Sequence, residues 1–290
     1  MICLVHTPVL LPFEGMRTAL YRKSLKIFFS ATVAAAILRA LLKVLYVDTD
    51  TGFYLGGGLL VWLLPAVMLF GVAGIVFFAF SEKIDTDGKL KGNRFNEITL
   101  TLLGVAVAAV SVLRLPYVLS LMSEGEPLIN QLPAWLQLTE QILGIISGAV
   151  LLYIAFCLLS GAKRSGTHGI VALIPAVWHT IAMIDRFISF REVSTASDQL
   201  IETLYLVCAT LFFLANARCL ADIAKSRRAC VIWGLLASHF GLVLAAGQSA
   251  AVVVLGNEIS GPPMPQNLLI IAFSAYALSI AASLALSPAE

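Results

Sequence analysis

Eight runs of about twenty apolar residues constrain this chain more than any other feature. They fall at about 25–46, 59–80, 98–121, 136–160, 169–190, 200–221, 231–255 and 268–286, and a helix of about 20 residues crosses the ~30 Å hydrocarbon core of a bilayer. Inside hydrocarbon each segment must satisfy its own backbone hydrogen bonds, which selects helices. Composition agrees: 59% of the 290 residues are hydrophobic and 12% are charged, against roughly 25% charged in a soluble domain. The expected fold is all-α, a polytopic bundle of eight transmembrane helices in one domain over 25–290, behind an N-terminal segment 1–24. The longest link is 81–97, too short for a soluble catalytic or nucleotide-binding domain. Chemistry is confined to the membrane or its surface.

The basic residues fix an orientation. One side holds Arg17, Arg22, Lys23, Lys26, Lys83, Lys89, Lys91, Arg94, Lys163, Arg164, Arg218, Lys225, Arg227 and Arg228, 14 of the 19 Lys and Arg residues. The loops of the other side hold only Arg191, with Asp48, Asp50, Glu124, Glu126, Glu192, Asp198 and Glu258. Positively charged loops stay in the cytoplasm, so both termini are expected there. A net charge of +2, confined in this way, gives no footprint for nucleic acid.

Seven charges remain inside the runs. Arg39, Lys43, Arg114 and Arg186 lie toward the outer ends of odd-numbered helices. Glu140 and Glu202 lie just inside the outer ends of even-numbered ones, and Asp185 is at the same depth. An ionised group at the centre of a membrane helix costs about 2.5–3.5 kcal/mol on insertion scales, so such groups face protein or a water-filled cavity and pair there. On the fifth run Pro175, His179, Ala182 and Arg186 follow i, i+4, i+7 spacing, with Trp178 and Asp185 beside them. A cavity lined by His179 and Arg186 can bind an anion or relay a proton, whereas a structural His and a paired Arg are the plainer alternative.

Two hairpins resemble copies of one another. Arg114 and Arg186 end outgoing helices, while Gln137-Leu138-Thr139-Glu140 and Gln199-Leu200-Ile201-Glu202 open the returning ones. Ile37-Leu38-Arg39 fits a third copy. Parallel hairpin repeats would be related by an axis along the membrane normal.

Other chemistries find little support. Cys3, Cys157, Cys208, Cys219 and Cys230 lack metal-ligand spacing, and no second ligand accompanies His239. No metal, cofactor or catalytic residue is assigned, and pairing Ser147 with His239 as a protease site would be arbitrary. The stripes Gly144-Ser147-Gly148 and Gly234-Ser238-Gly241-Ala245 read as close helix packing, and Asn216 as an interhelical hydrogen bond. Pro65, Pro116 and Pro175 are expected to interrupt their helices. The turn 47–54 carries Asp48 and Asp50 but no calcium-loop pattern, and reads as a turn anchored by Phe53 and Tyr54. Residues 1–15 read as an extension ahead of Met16.

That turn, together with Pro175-Ala176-Val177-Trp178, Arg186-Phe187 and the stretch 211–218, resembles uncharacterised multi-spanning membrane proteins of clostridia-like bacteria. The resemblance implies a bacterial plasma membrane and carries over no catalytic residue. The residues themselves point to a small permease or solute-binding membrane subunit. Its outward cavity would be lined by Arg39, Arg114, Glu140, His179, Asp185, Arg186 and Glu202, and would take an anionic or zwitterionic small molecule. The alternative is a non-transporting sensor or assembly factor in which these charges hold helices together and the loop from Lys83 to Arg94 docks a partner protein or anionic lipid. An enzyme acting on lipid ranks third.

Overall fold

The computed structural model describes residues 13–48, 54–56, 58–81, 93–124, 132–161, 166–189, 196–223, 226–256 and 262–286. These form nine helices: α1 Phe13–Leu45, α2 Gly58–Ser81, α3 Arg94–Glu124, α4 Ala134–Leu159, α5 Gly166–Val171, α6 Leu173–Ser189, α7 Ala196–Leu220, α8 Ser226–Leu255 and α9 Met264–Leu286. The one extended pairing among them is an isolated bridge between Val47 and Tyr54. Eight spans are long and apolar enough to cross a membrane, with α5 and α6 together making the fifth, Gly166–Ile188. The chain is a polytopic membrane protein. We call the end where α1, α3, α6 and α8 finish the upper end.

Helix α8 is the axis of the bundle, packing against α1, α2, α7 and α9. Its small-residue stripe permits this. A Cβ on Gly241 would come within 2.3 Å of Ser274 Oγ, and one on Gly247 within 2.8 Å of Arg39 Cγ. Helices α3 and α4 form the tightest hairpin, where a Cβ on Gly148 would lie 2.7 Å from Ala108 Cβ and 2.8 Å from the Gly104 carbonyl. Only glycine lets backbones approach so closely. At the periphery α2 turns Leu59, Trp62, Leu69 and Phe70 outward. Such a continuous exposed apolar surface is matched by lipid, not water.

Three boundaries differ from the hydropathy reading. Helices α3 and α8 begin earlier, at Arg94 and Ser226, and each span is 30 residues long, about 45 Å at ~1.5 Å per residue. Asn93 explains the first, since its Oδ1 accepts the Phe95 backbone N–H at 3.1 Å and caps α3. The fifth span breaks at Ala172. Pro175 cannot donate to the carbonyl four residues back, so the helix restarts at Leu173 with Pro175 in its first turn. Pro65 and Pro116, by contrast, sit inside continuous helices. Helix α1 begins at Phe13 and runs through the expected boundary at residue 24. Residues 1–12, the turn 49–53 and most of the basic loop after α2 lie outside the described residues.

Uncharged polar side chains tie the lower half together. Asn216 Nδ2 donates to Tyr276 Oη at 2.9 Å, joining α7 to α9. Asn96 joins α3 to α9, donating to Ser283 Oγ at 2.7 Å and accepting from Ser279. His239 Nδ1 meets Thr32 Oγ1 at 2.8 Å, and its ring lies so close to α2 that a Cβ on Gly71 would be 2.7 Å from His239 Cε1. His239 therefore acts as a tie among α1, α2 and α8, and is bonded to Thr32, not Ser147.

Candidate functional site

The charges in the upper half of the bundle come from different spans and meet at one cavity. Helix α3 brings Ser111 and Arg114 and α4 brings Glu140 and Gln141. Helix α6 contributes Trp178, His179, Ala182, Asp185 and Arg186, α7 contributes Glu202 and Tyr205, and α9 contributes Gln266. Periodicity explains the α6 set, because residues three, four and seven apart share a face. Gly144 packs behind these residues. A Cβ there would lie 2.0 Å from Ser111 Oγ and 2.9 Å from Trp178 Nε1, so a larger residue would push both side chains aside.

Two ion pairs cross the cavity walls. Arg186 Nε stands 3.0 Å from Glu202 Oε1, joining α6 to α7, and Arg186 Nη2 also donates to Gln266 Oε1 on α9. Arg114 Nη1 stands 3.6 Å from Glu140 Oε1, joining α3 to α4. Asp185 lies within electrostatic reach of Arg114, Arg186 and Glu140. The acids are buried, Glu140 at 4% and Glu202 at 6% exposed, whereas the guanidinium side chains keep 31% and 26% of their surface. The cavity thus has a buried acidic interior and a half-exposed basic rim. Its volume is about 70 Å³, several times the ~10–15 Å³ that one water requires.

Six of the seven residues expected to line this site do so: Arg114, Glu140, His179, Asp185, Arg186 and Glu202. Arg39 does not. It is 1% exposed, packed against Gly247, and it donates to Tyr54 Oη from the turn beyond α1. Its neighbour Lys43 donates to Gln248 Oε1 on α8 at 2.8 Å and lies within electrostatic reach of Glu202. These two cations stand behind the cavity wall, not in it. Within the cavity His179 is held structurally: Nδ1 meets Thr210 Oγ1 at 3.0 Å, and the ring sits among Trp178, Tyr205, Phe213 and Phe273. The Thr210 hydroxyl also lies 2.9 Å from the Leu206 carbonyl of its own helix.

Sequence reasoning passed over Gln141, Gln266 and the bonding role of Tyr54. Glutamines just inside the ends of apolar runs were the available signal. Trp178 Nε1 is buried without a hydrogen-bond partner, and Trp178 lines the cavity with Glu140 and Gln141, whose side chains bond one another. Buried polar groups are nearly always bonded, so such atoms mark a place for water or a ligand.

Fold and site together define a polytopic α-helical membrane protein with an ionised cavity near one end of its bundle. No protein-family model matches the chain, and no curated protein or solved structure is detectably similar to it.

Proposed function

We propose that the protein is a small permease, or the solute-binding subunit of one, whose outward-facing cavity takes an anionic or zwitterionic small molecule. The observation that carries this reading is the cavity itself. Charges from four spans converge on it, and one of its lining residues, Trp178, holds a buried N–H with no protein partner. Interhelical glue alone needs neither free volume nor an unanswered donor. The positive-inside distribution orients the cavity outward, with both termini in the cytoplasm of a bacterial plasma membrane. The matched pairs Arg114–Glu140 and Arg186–Glu202, each closing one hairpin at its upper end, support parallel hairpin repeats. Transport would draw on an ion gradient or a partner protein.

A second reading has its own support. Both guanidiniums are already paired across helices, as a sensor or assembly factor with purely structural charges would require. Thermal-shift screening of the purified chain against anions, amino acids and lipid headgroups, followed by uptake into proteoliposomes, separates the two. Saturable stabilisation and uptake that Arg114→Gln reduces support the permease. A silent panel with normal folding supports the structural role.

A further inference from the structure

We infer that the cavity recognises both ends of its guest, an ammonium accepted by the Glu140 carboxylate and a carboxylate held by the Arg114 guanidinium and Trp178 Nε1, so that the solute is a small zwitterion of the amino-acid class. This deepens the permease reading and rests on the same cavity.

Three observations lead there. The first is the wall's charge: Arg114 and Arg186 face Glu140, Asp185 and Glu202, two cations against three acids. Lys43 and Arg39 stand behind the wall, Lys43 in reach of Glu202. Within the wall itself no cation is left over to meet a bare anion, while a guest carrying both charges leaves the balance untouched. The second is an unanswered donor, Trp178 Nε1, on a residue 5% exposed, beside Glu140 and Gln141, whose side chains bond one another. Glu140 and Gln141 lie one helical turn from Gly144, and Trp178 Nε1 stands 2.9 Å from where a Cβ on Gly144 would sit. The third is the looseness of Arg114–Glu140 at 3.6 Å. A zwitterion can lie alongside it head to tail, its ammonium toward the carboxylate and its carboxylate toward the indole N–H and the half-exposed guanidinium.

Size narrows the class further. The cavity volume is about 70 Å³, and a cavity of ~150 Å³ holds a molecule of benzene. Only the smallest members fit, glycine first among them.

The test uses the full chain purified into nanodiscs, with tritiated glycine as probe and unlabelled methylammonium and acetate as competitors. Glycine should bind saturably, and each half-molecule should compete at least about tenfold more weakly, the worth of one charge-assisted contact. Glu140→Gln and Trp178→Phe, the latter keeping a ring and losing the N–H, should each weaken glycine by about tenfold on the same grounds. Absence of glycine binding to the wild-type protein overturns the inference, as does acetate competing as well as glycine. The competition series needs no variant, so it decides the matter even if a substitution misfolds. Glycine bound but never taken up into proteoliposomes would sink the permease reading and leave the zwitterion site standing. Uptake of a simple anion, indifferent to Glu140→Gln, would do the reverse.

Discussion

Replacing Arg186 by Gln should destabilise the bundle by about 3 kcal/mol, because deleting one member of a buried ion pair leaves the other charge unanswered, a loss of ~3–5 kcal/mol. The lower end of that range applies for two structural reasons. The Arg186 side chain is 26% exposed, so solvent already screens part of the attraction, and Lys43 stays within reach of Glu202. Glu202→Gln alone should cost about 2 kcal/mol, since Arg186 can turn to solvent and keep Gln266. The double variant removes both charges together and should cost about 3 kcal/mol, which leaves a coupling of about 2 kcal/mol. The Arg114–Glu140 pair is the built-in comparison. It is longer, at 3.6 Å, and its Arg is more exposed, at 31%, so its coupling should be about 0.5–1 kcal/mol. Reversible unfolding in mixed SDS micelles, with both cycles run side by side, measures the two numbers. Equal couplings, or one below about 0.5 kcal/mol for Arg186–Glu202, would refute the assignment of this pair as the principal brace.

Other substitutions probe the packing that holds the site in place. Gly148→Val places atoms into contact with Ala108 and the Gly104 backbone, and should cost about 3 kcal/mol or prevent folding, read by size-exclusion and unfolding midpoint. Asn216→Leu and Tyr276→Phe remove the same hydrogen bond; each should cost about 0.5–1.5 kcal/mol, with their combination costing less than the sum. Gly71→Ala drives a methyl group at the His239 ring, which Thr32 holds on its other side. The loss should be about 1–2 kcal/mol and should shrink when His239→Ala is added.

Much of this architecture was legible in the chain because charge in hydrocarbon is costly enough to dictate position. Arg114, Glu140, Asp185, Arg186 and Glu202 had to find one another, and hydropathy places them at a common depth. Gly144, Gly148 and Asn216 were legible for the same kind of reason, since small or amide-bearing residues in lipid have few other uses. Arg39 shows where such reasoning ends. It shares the depth of the others, but its partner Tyr54 comes from a turn whose path no periodicity encodes, and Gly247 receives its stem on the far side of the wall. Gln141 and Trp178 were obscured for another reason. Amides and indoles are commonplace near the membrane interface, and only their place in the cavity wall singles these two out. The break at Ala172 follows from Pro175, yet Pro65 and Pro116 leave their helices continuous, so proline in the sequence did not by itself locate a break.

Whether the ionised layer encloses a cavity reachable from outside is tested most directly at Ala182, a cavity-lining residue one turn before Asp185 and Arg186 on α6. In a variant whose native cysteines are replaced, Ala182→Cys should react with a membrane-impermeant thiol reagent added to intact cells, and glycine should slow that reaction. A cysteine that stays unmodified from the outside, or that reacts only once the cytoplasmic face is opened, would contradict both the orientation and the cavity.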